Sequence, residues 1–367
     1  MRIAVIGSGI VGSSVGWHLG RSGADVVMID AARPGAGVTN WTFSWLNASN
    51  KTKTRAYFEL NVAGMAAYRE LAADIGGDTW WHPTGHLRWY DNPAGTEGLC
   101  QAVDHLRSWG YDVDLWEAAR VRELLEPGVR FPADGTEIAF YPGEGWIDGL
   151  RLVDRFIDDL VDSGGEIHVG SEVTDVVLSG ERVTGVVLSS EWQLKVDAIV
   201  NAAGPASHSV ARLVGRTLPM LDEPGCVARL RCPRVPIQRA MHSPHVELRP
   251  DRPGQVVLHS REIDALINQD SDTIELAARL HRLGTDVVPA LDDAELIEAN
   301  TVRRPIPGDG FPSVGGIPGL SGYYEAVTHS GISLGIILGR LLTQEIIDDT
   351  VSELLAPYRP ARFGADE

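Results

Sequence analysis

Lysine is almost absent from this 367-residue chain: Lys51, Lys53 and Lys195 are the only three, and the other basic residues are arginines. Cysteine is as scarce. Cys100, Cys226 and Cys232 form no CxxC pair and lack the histidine company of a zinc site, so they read as reduced thiols of a cytoplasmic protein, and no metal is expected. Positive charge is in deficit overall, with a formal net charge of −18 and a pI near 5.0. That balance excludes a nucleic-acid or anionic-membrane partner, because phosphate binding requires a cationic face. No stretch approaches the roughly 20 apolar residues of a membrane span. The N-terminal MRIAVIGSGIVG is apolar but short and broken by glycines, and it continues into a fold motif rather than a cleavage site. No internal repeat or low-complexity linker is visible. Small-molecule chemistry is what remains.

With 44% apolar and 22% charged residues, the chain has enough material for a large core and about two domains. Arg2 to Ile6 reads as a strand buried on both faces of a parallel sheet. Gly7, Gly9 and Gly12 then make GxGxxG, and Ser13 to Gly20 reads as the following helix. In this pattern the first glycine permits the tight turn and the second lets the backbone approach a pyrophosphate, while the third brings helix and strand together. A second strand, Asp25 to Ile29, ends at Asp30, 21 residues beyond Gly9, where a carboxylate accepts hydrogen bonds from an adenosine ribose. Strand, turn, helix, strand and acid in this order predict a dinucleotide site, and the acid disfavours a 2′-phosphate.

Two later segments bear on which dinucleotide is bound. Residues 165–205 contain GGEIHVGSEVTDVVL, a return strand ERVTGVVLS, and VDAIVNAAGPAS, in which a buried strand runs into the small residues Asn201-Ala202-Ala203-Gly204. Residues 304–345 hold a Gly/Pro-rich loop and a strand at Tyr323 to Val327. Thr328-His329-Ser330-Gly331 then opens an apolar helix whose N-terminus supplies free N–H groups and partial positive charge.

These segments together resemble the D-amino-acid-oxidase-like FAD oxidoreductases, a group that includes glycine oxidase, sarcosine oxidase and bacterial D-amino acid dehydrogenases. The resemblance rests on GSGIVG at 7–12, Gly35 to Thr42, VDAIVNAAG at 196–204, RPIPGDGFPSVG at 304–315 and THSGISLG at 328–335, in family order. It implies an α/β fold, α+β overall. A Rossmann-like FAD-binding domain is assembled from discontinuous segments (1–75, 146–222 and 301–367), and an antiparallel-sheet substrate domain occupies 76–145 and 223–300. Carried over residue by residue, Gly7, Gly9, Ile10, Val11 and Gly12 hold the FAD pyrophosphate and Asp30 the ribose. Thr39, Thr42, Val173, Ala202, Ala203 and Gly204 also lie on the cofactor, as do Gly331, Ile332, Ser333 and Leu334. Asp30 departs from the family, whose usual acid here is Glu.

For the substrate, the resemblance points to Arg304 as a bidentate partner of a carboxylate, a task suited to a planar guanidinium. Arg303 competes for the assignment unless the two alternate on a strand, and a structural salt bridge is the other reading of either. His329 opens the flavin-proximal helix and reads equally as a contact to cofactor or substrate and as a turn-stabilising histidine. Asp309 reads as a turn-former. Sarcosine-oxidase-like enzymes activate oxygen with a lysine in the second half of the chain. Here Lys195 sits on a strand remote from that motif, so the feature is missing. Lys51 or Lys53 are the substitutes, against the commoner role of a solvated loop lysine.

Residues 223–300 contain no tyrosine, where D-amino acid oxidase and glycine oxidase place substrate-facing ones, and His242, His245 and His259 read as surface or core histidines. Trp41 and Trp45 read as pocket walls or as core packing. The expected function is oxidation of the C–N bond of a small amine or amino acid by hydride transfer to FAD, with oxygen or another electron acceptor as the second partner. A flavin-dependent 2-hydroxy-acid dehydrogenase and a non-catalytic flavin or electron-relay subunit are the alternatives. Stereochemistry, oligomeric state and the mode of flavin attachment stay open.

Overall fold

A computed structural model of the chain describes residues 1–232 and 234–364. Strand β1 (Arg2–Ile6) carries only apolar side chains after Arg2, and all are buried, because parallel neighbours flank it and both of its faces are covered. It runs parallel to β2 (Asp25–Asp30) on one side and to Ala198–Asn201 on the other; helices lie on the face of Ile3 and Val5, while the face of Ala4 and Ile6 packs on the strands Val173–Ser179 and Arg182–Leu188. The parallel run continues outward through Leu320–Val327 on one flank and Glu166–Val169 on the other, in a sheet of nine strands. Helix α1 (Ile10–Arg21) follows β1 directly and packs along the C-terminal helix Gly331–Asp348. Every strand foreseen in this region, and the helix after residue 328, is present.

An eight-stranded sheet takes its strands from residues 86–141 and 224–303. Its neighbours are antiparallel except Ala240–His242 beside His86–Arg88. Side chains alternate between its faces with period two. Ala228, Leu230, Leu248 and Leu258 point outward and share a core with Leu276, Ala277 and Leu280 of the Thr273–Val287 helix. Val227, Ala240 and Val257 point inward onto Phe43 and Trp45. The charged neighbours Arg229, His242, Glu247, Arg249 and His259 share the inward face and are buried with them. Strand β3 (Trp45–Leu46) joins Gly145–Ile147 and Trp81–His82 in a small third sheet between the two large ones. Helix α2 (Arg55–Ile75), capped by Thr54, packs on the C-terminal helix. Among the described residues no helix is long and apolar enough to cross a membrane.

Candidate functional site

The glycine loop after β1 leaves no space for side chains. A Cβ on Gly7 would lie 2.4 Å from the carbonyl oxygen of Ala202, and one on Gly12 would lie 1.9 Å from the carbonyl oxygen of Gly7. Gly7 also has a φ of +99°, open to glycine. The result is a bare backbone turn ending in the N-terminus of α1, which has no side-chain cap and no acid in its first turn. The Ile10 N–H donates to Thr39 Oγ1 at 2.9 Å, which ties the turn to the 35–42 loop. First-turn N–H groups have no intrahelical acceptor, so this end is built to receive an anion.

Asp30 closes one side of that turn. Its Oδ2 accepts from the backbone N–H of Ser8 at 2.7 Å and from the Ser8 hydroxyl at 2.6 Å, and its Oδ1 accepts from the Ala32 N–H at 2.8 Å. Ala202, Ala203 and Gly204 follow the strand beside β1. Buried Val173 opens the strand Val173–Ser179 at the edge of the same sheet.

A second helix N-terminus lies against the first. Gly331 faces Ile10 and Val11 so closely that an added Cβ would touch both. The C-terminal helix likewise begins without a side-chain cap or a first-turn acid. The Ser330 hydroxyl lies 2.7 Å from Tyr57 OH, and the Ser333 hydroxyl bridges the backbone N–H and carbonyl of Asn47. Ile332, Ser333 and Leu334 are buried in that first turn and Thr39 is buried beside α1, while Thr42 is half-buried. The sixteen residues expected at a cofactor thus lie on the two abutting helix ends, on the loops and strands beside them, and, for Val173, at the edge of their sheet. The bare cradle, the two uncapped helix ends and the acid at Asp30 fit a dinucleotide such as FAD.

The loop from Asn40 to Lys51 is pinned from both sides. Arg249 Nε donates to the Phe43 carbonyl at 2.6 Å, and Arg229 donates to the Asn40 carbonyl. Both guanidiniums pair with Asp251, at 2.7 and 3.1 Å. Glu144, fully buried, accepts from Trp45 Nε1 at 3.0 Å, from the backbone N–H groups of Ala48 and Ser49, and from Tyr111 OH at 2.7 Å. Trp45 is therefore an interior residue with a satisfied indole rather than an open pocket wall. Half-buried Trp41 carries the Arg229 guanidinium 4.9 Å above its ring.

Arg303 and Arg304 separate as alternation predicts. Arg303 is exposed and pairs with Asp222, whereas the Arg304 side chain is 22% exposed and turns inward to Asp264, Pro224 O and His259. Asp264 Oδ2 in turn lies 2.8 Å from His259 Nε2.

His329 is solvent-exposed at the start of the C-terminal helix, with Lys51, Arg304, Arg261 and Lys53 as its charged neighbours. Desolvation, reinforced by these cations, lowers its pKa to about 3 and keeps the ring neutral. Lys51 is buried, not the solvated loop lysine that composition favoured. Burial first, then Arg261 and Lys53 against the opposing pull of Glu144, brings its ammonium to about 8. Lys53 instead lies over the Phe311 ring at 5.7 Å, and Lys195 is exposed on its strand. Asp309 is the turn residue expected, accepting from the Phe311 N–H, and it also pairs with Arg362.

Sequence reasoning missed Glu144, Arg229, Arg249, Glu247 and Asp264. It also placed His242 and His259 as ordinary surface or core histidines. For Arg229, Glu247 and Arg249 the signal was the alternation of charged and apolar residues in 227–231 and 245–249, which reads as a solvated face until a loop is known to cover it; Glu144 and Asp264 lie outside these segments.

The FAD dependent oxidoreductase (DAO) family model matches residues 2–345. The chain is 24% identical to the hydrogen cyanide synthase subunit HcnC of Pseudomonas aeruginosa, covering 98% of this chain and 96% of that one. It is 24% identical to the glycine oxidase of the same organism, covering 98% of each. Among solved structures, the glycine oxidase of Geobacillus kaustophilus superposes with a TM-score of 0.86 at 19% identity, over 98% of this chain and 99% of the other. Iminodiacetate oxidase from a Chelativorans species gives 0.84 at 21% identity, over the same shares. The chain belongs to the DAO family of FAD-dependent oxidoreductases.

Proposed function

We propose that the protein oxidises the C–N bond of a small amino acid or amine bearing a carboxylate. Bound FAD supplies the electron sink that accepts a hydride from the carbon next to the substrate nitrogen. The observation that carries this reading is Arg304, an inward-turned, partly exposed guanidinium held by Asp264, with Arg261 and Lys51 as further cations acting on His329; we read these groups as the wall of a substrate cleft. In this reading Arg304 holds the substrate carboxylate, with Asp264 fixing the guanidinium from behind. Neutral His329 lines the same cleft, so the ring itself presents no charge to an incoming ammonium group. Lys51, poised near its own pKa, is placed to donate a proton when the second electron acceptor reacts. The α1 end and Asp30 hold the dinucleotide, and Gly331 to Leu334 bring their N–H groups to the flavin. In this reading the described residues of 1–75, 146–222 and 304–364 make up the cofactor half and those of 76–145, 223–232 and 234–303 the substrate half, whose last strand, Glu295–Arg303, runs three residues past the boundary expected at 300.

Relatives named for oxidation of glycine and of iminodiacetate support an amino substrate. The test is product analysis with the holoenzyme and an artificial electron acceptor. D-amino acids, glycine, N-methyl amino acids, iminodiacetate, proline and 2-hydroxy acids are supplied singly. Release of ammonia or a smaller amine from one class supports the reading; turnover of hydroxy acids alone overturns it.

A further inference from the structure

Behind Arg304 a file of titratable side chains runs through the inward face of the eight-stranded sheet. Glu144 Oε2 lies 3.4 Å from His86 Nδ1, and His86 Nε2 lies 2.7 Å from His242 Nδ1. His242 Nε2 lies 3.2 Å from Glu247 Oε1, and Glu247 Oε2 lies 2.5 Å from His259 Nδ1. His259 Nε2 reaches Asp264 at 2.8 Å, and Asp264 holds Arg304. All six residues from Glu144 to Asp264 are buried or nearly so. Each group is directed at its neighbours in a line rather than at a common point, and no metal-holding group of His, Cys, Asp or Glu occurs among the described residues.

Proton counting constrains this file. Between Glu144 and Glu247 lie three donor–acceptor gaps and two imidazoles. Neutral imidazoles bring two protons, so one gap is left without a proton, setting a nitrogen lone pair against a carboxylate or two nitrogen lone pairs against each other, unless one more proton is present. Whichever tautomers are chosen, the deficit remains and only its position moves. The His86 Nδ1–Glu144 gap is the longest of the three, 3.4 Å against 2.7 and 3.2 Å, which makes the Glu144 end the weakest link. Between Glu247 and Asp264 the same count gives two gaps and one imidazole, again one proton short, and there His259 carries it. Burial alone would lower the His259 pKa, but Glu247 and Asp264 together raise it to about 9. The other groups facing the file are Lys51, on which Glu144 acts, Arg88, on the strand of His86, Arg261, whose Nε lies 3.8 Å from Glu247, and the rings of Tyr111 and Tyr141 beside Glu144 and His86.

We propose that Glu144, His86, His242, Glu247, His259 and Asp264 form a proton-sharing relay that couples the interior acid Glu144 to the guanidinium of Arg304, with His242 a positioning residue for carboxylate binding that itself touches no ligand. A proton taken from solvent at His86 Nδ1 as pH falls into the acid range is passed on by two transfers, His86 Nε2–H to His242 Nδ1 and His242 Nε2–H to Glu247, which leaves both imidazoles neutral with their protons on Nδ1. It thereby neutralises the carboxylate that, with Asp264, holds His259 and through it Arg304. The carboxylate-binding part of this statement rests on the function proposed above; the proton sharing does not.

Two measurements on the flavin-loaded protein separate them. Nitrogen-15 histidine spectra across pH need no ligand: His86 and His242 should titrate together as one coupled pair, with His259 doubly protonated at neutral pH. In His242→Asn the remaining His86 should titrate alone. Acetate affinity, read from perturbation of the flavin spectrum, should fall roughly fivefold to tenfold in His242→Asn and lose its wild-type pH dependence. His86→Asn, which cuts the file one step further in, should remove the same pH dependence. Independent titration of His86 and His242, or a neutral His259 at pH 7, overturns the relay. Joint titration without acetate binding to the wild type overturns the carboxylate reading of Arg304 and leaves the proton sharing established. Joint titration with an acetate profile unchanged in both variants overturns the coupling.

Discussion

Arg304 and Asp264 are joined at the edge of the eight-stranded sheet, with the Asp264 carboxylate accepting from one guanidinium nitrogen and lying 2.8 Å from His259 Nε2. The arrangement orients the guanidinium but also occupies one of its nitrogens, so a substrate carboxylate must use what is left of the fork. Arg304→Lys should therefore retain the flavin yet bind carboxylate ligands roughly tenfold to a hundredfold more weakly, the worth of one to two charged hydrogen bonds, about 1.5–3 kcal/mol. Titration of the flavin spectrum with acetate checks this.

A methyl group at Gly12 collides with backbone, not with a side chain that can swing away, because the nearest atom is the Gly7 carbonyl oxygen at 1.9 Å. Gly12→Ala should therefore disrupt the cradle and yield protein with little or no visible flavin absorbance after desalting. Gly98→Ala has open space around its Cβ and serves as the control that keeps full flavin content.

How much of this was legible in the sequence follows from the range of the interactions involved. Gly7, Gly9, Gly12 and Asp30 lie within one strand–helix–strand unit, so their spacing is fixed by local geometry and could be read directly. The strand that runs into Asn201 and the one at Tyr323 to Val327 were equally legible, each a largely apolar run directly before small or turn-forming residues. Glu144 was not. Its donors come from Trp45, Ala48, Ser49 and Tyr111, separated by up to 99 positions, and no local pattern marks a loop glutamate as their meeting point. Glu247 and His259 look like solvent-facing members of alternating strands, and only the Asn40–Lys51 loop folded over that face makes them interior. Lys51 was misjudged for the same reason: its burial is set by chain far from it in sequence.

Glu144 concentrates four donors on one carboxylate in a dry site. Glu144→Gln keeps the shape but turns an amide NH2 toward groups that are themselves donors. The expected loss is about 1–3 kcal/mol of stability, from leaving one or two buried donors unpaired. Thermal unfolding of the holoenzyme, monitored by the release of flavin fluorescence, reads it out.

Stability should pass through a maximum near pH 6.5. His18 and His86 are held neutral, mainly by burial, with pKa values of about 4 against 6.5 unfolded. The unfolded chain therefore binds more protons below pH 6.5, and the stability these rings contribute is lost as pH falls from 6.5 toward 4. His259 has the opposite sign. Raised to about 9, it contributes fully below pH 6.5 and loses that contribution progressively as pH rises through 9. Denaturant titrations across pH should show both slopes, and His259→Asn should flatten the alkaline one while leaving the acid one in place.

The central claim, that this FAD enzyme oxidises an amino compound held at Arg304, is tested most directly by the visible spectrum of the oxygen-free holoenzyme on addition of D-amino acids, glycine, N-methyl amino acids or iminodiacetate. The account predicts that at least one of these classes bleaches the oxidised flavin band, and that Arg304→Ala requires far higher concentrations of the same compound. A flavin band that no amino compound bleaches, or one bleached equally well in Arg304→Ala, would contradict it.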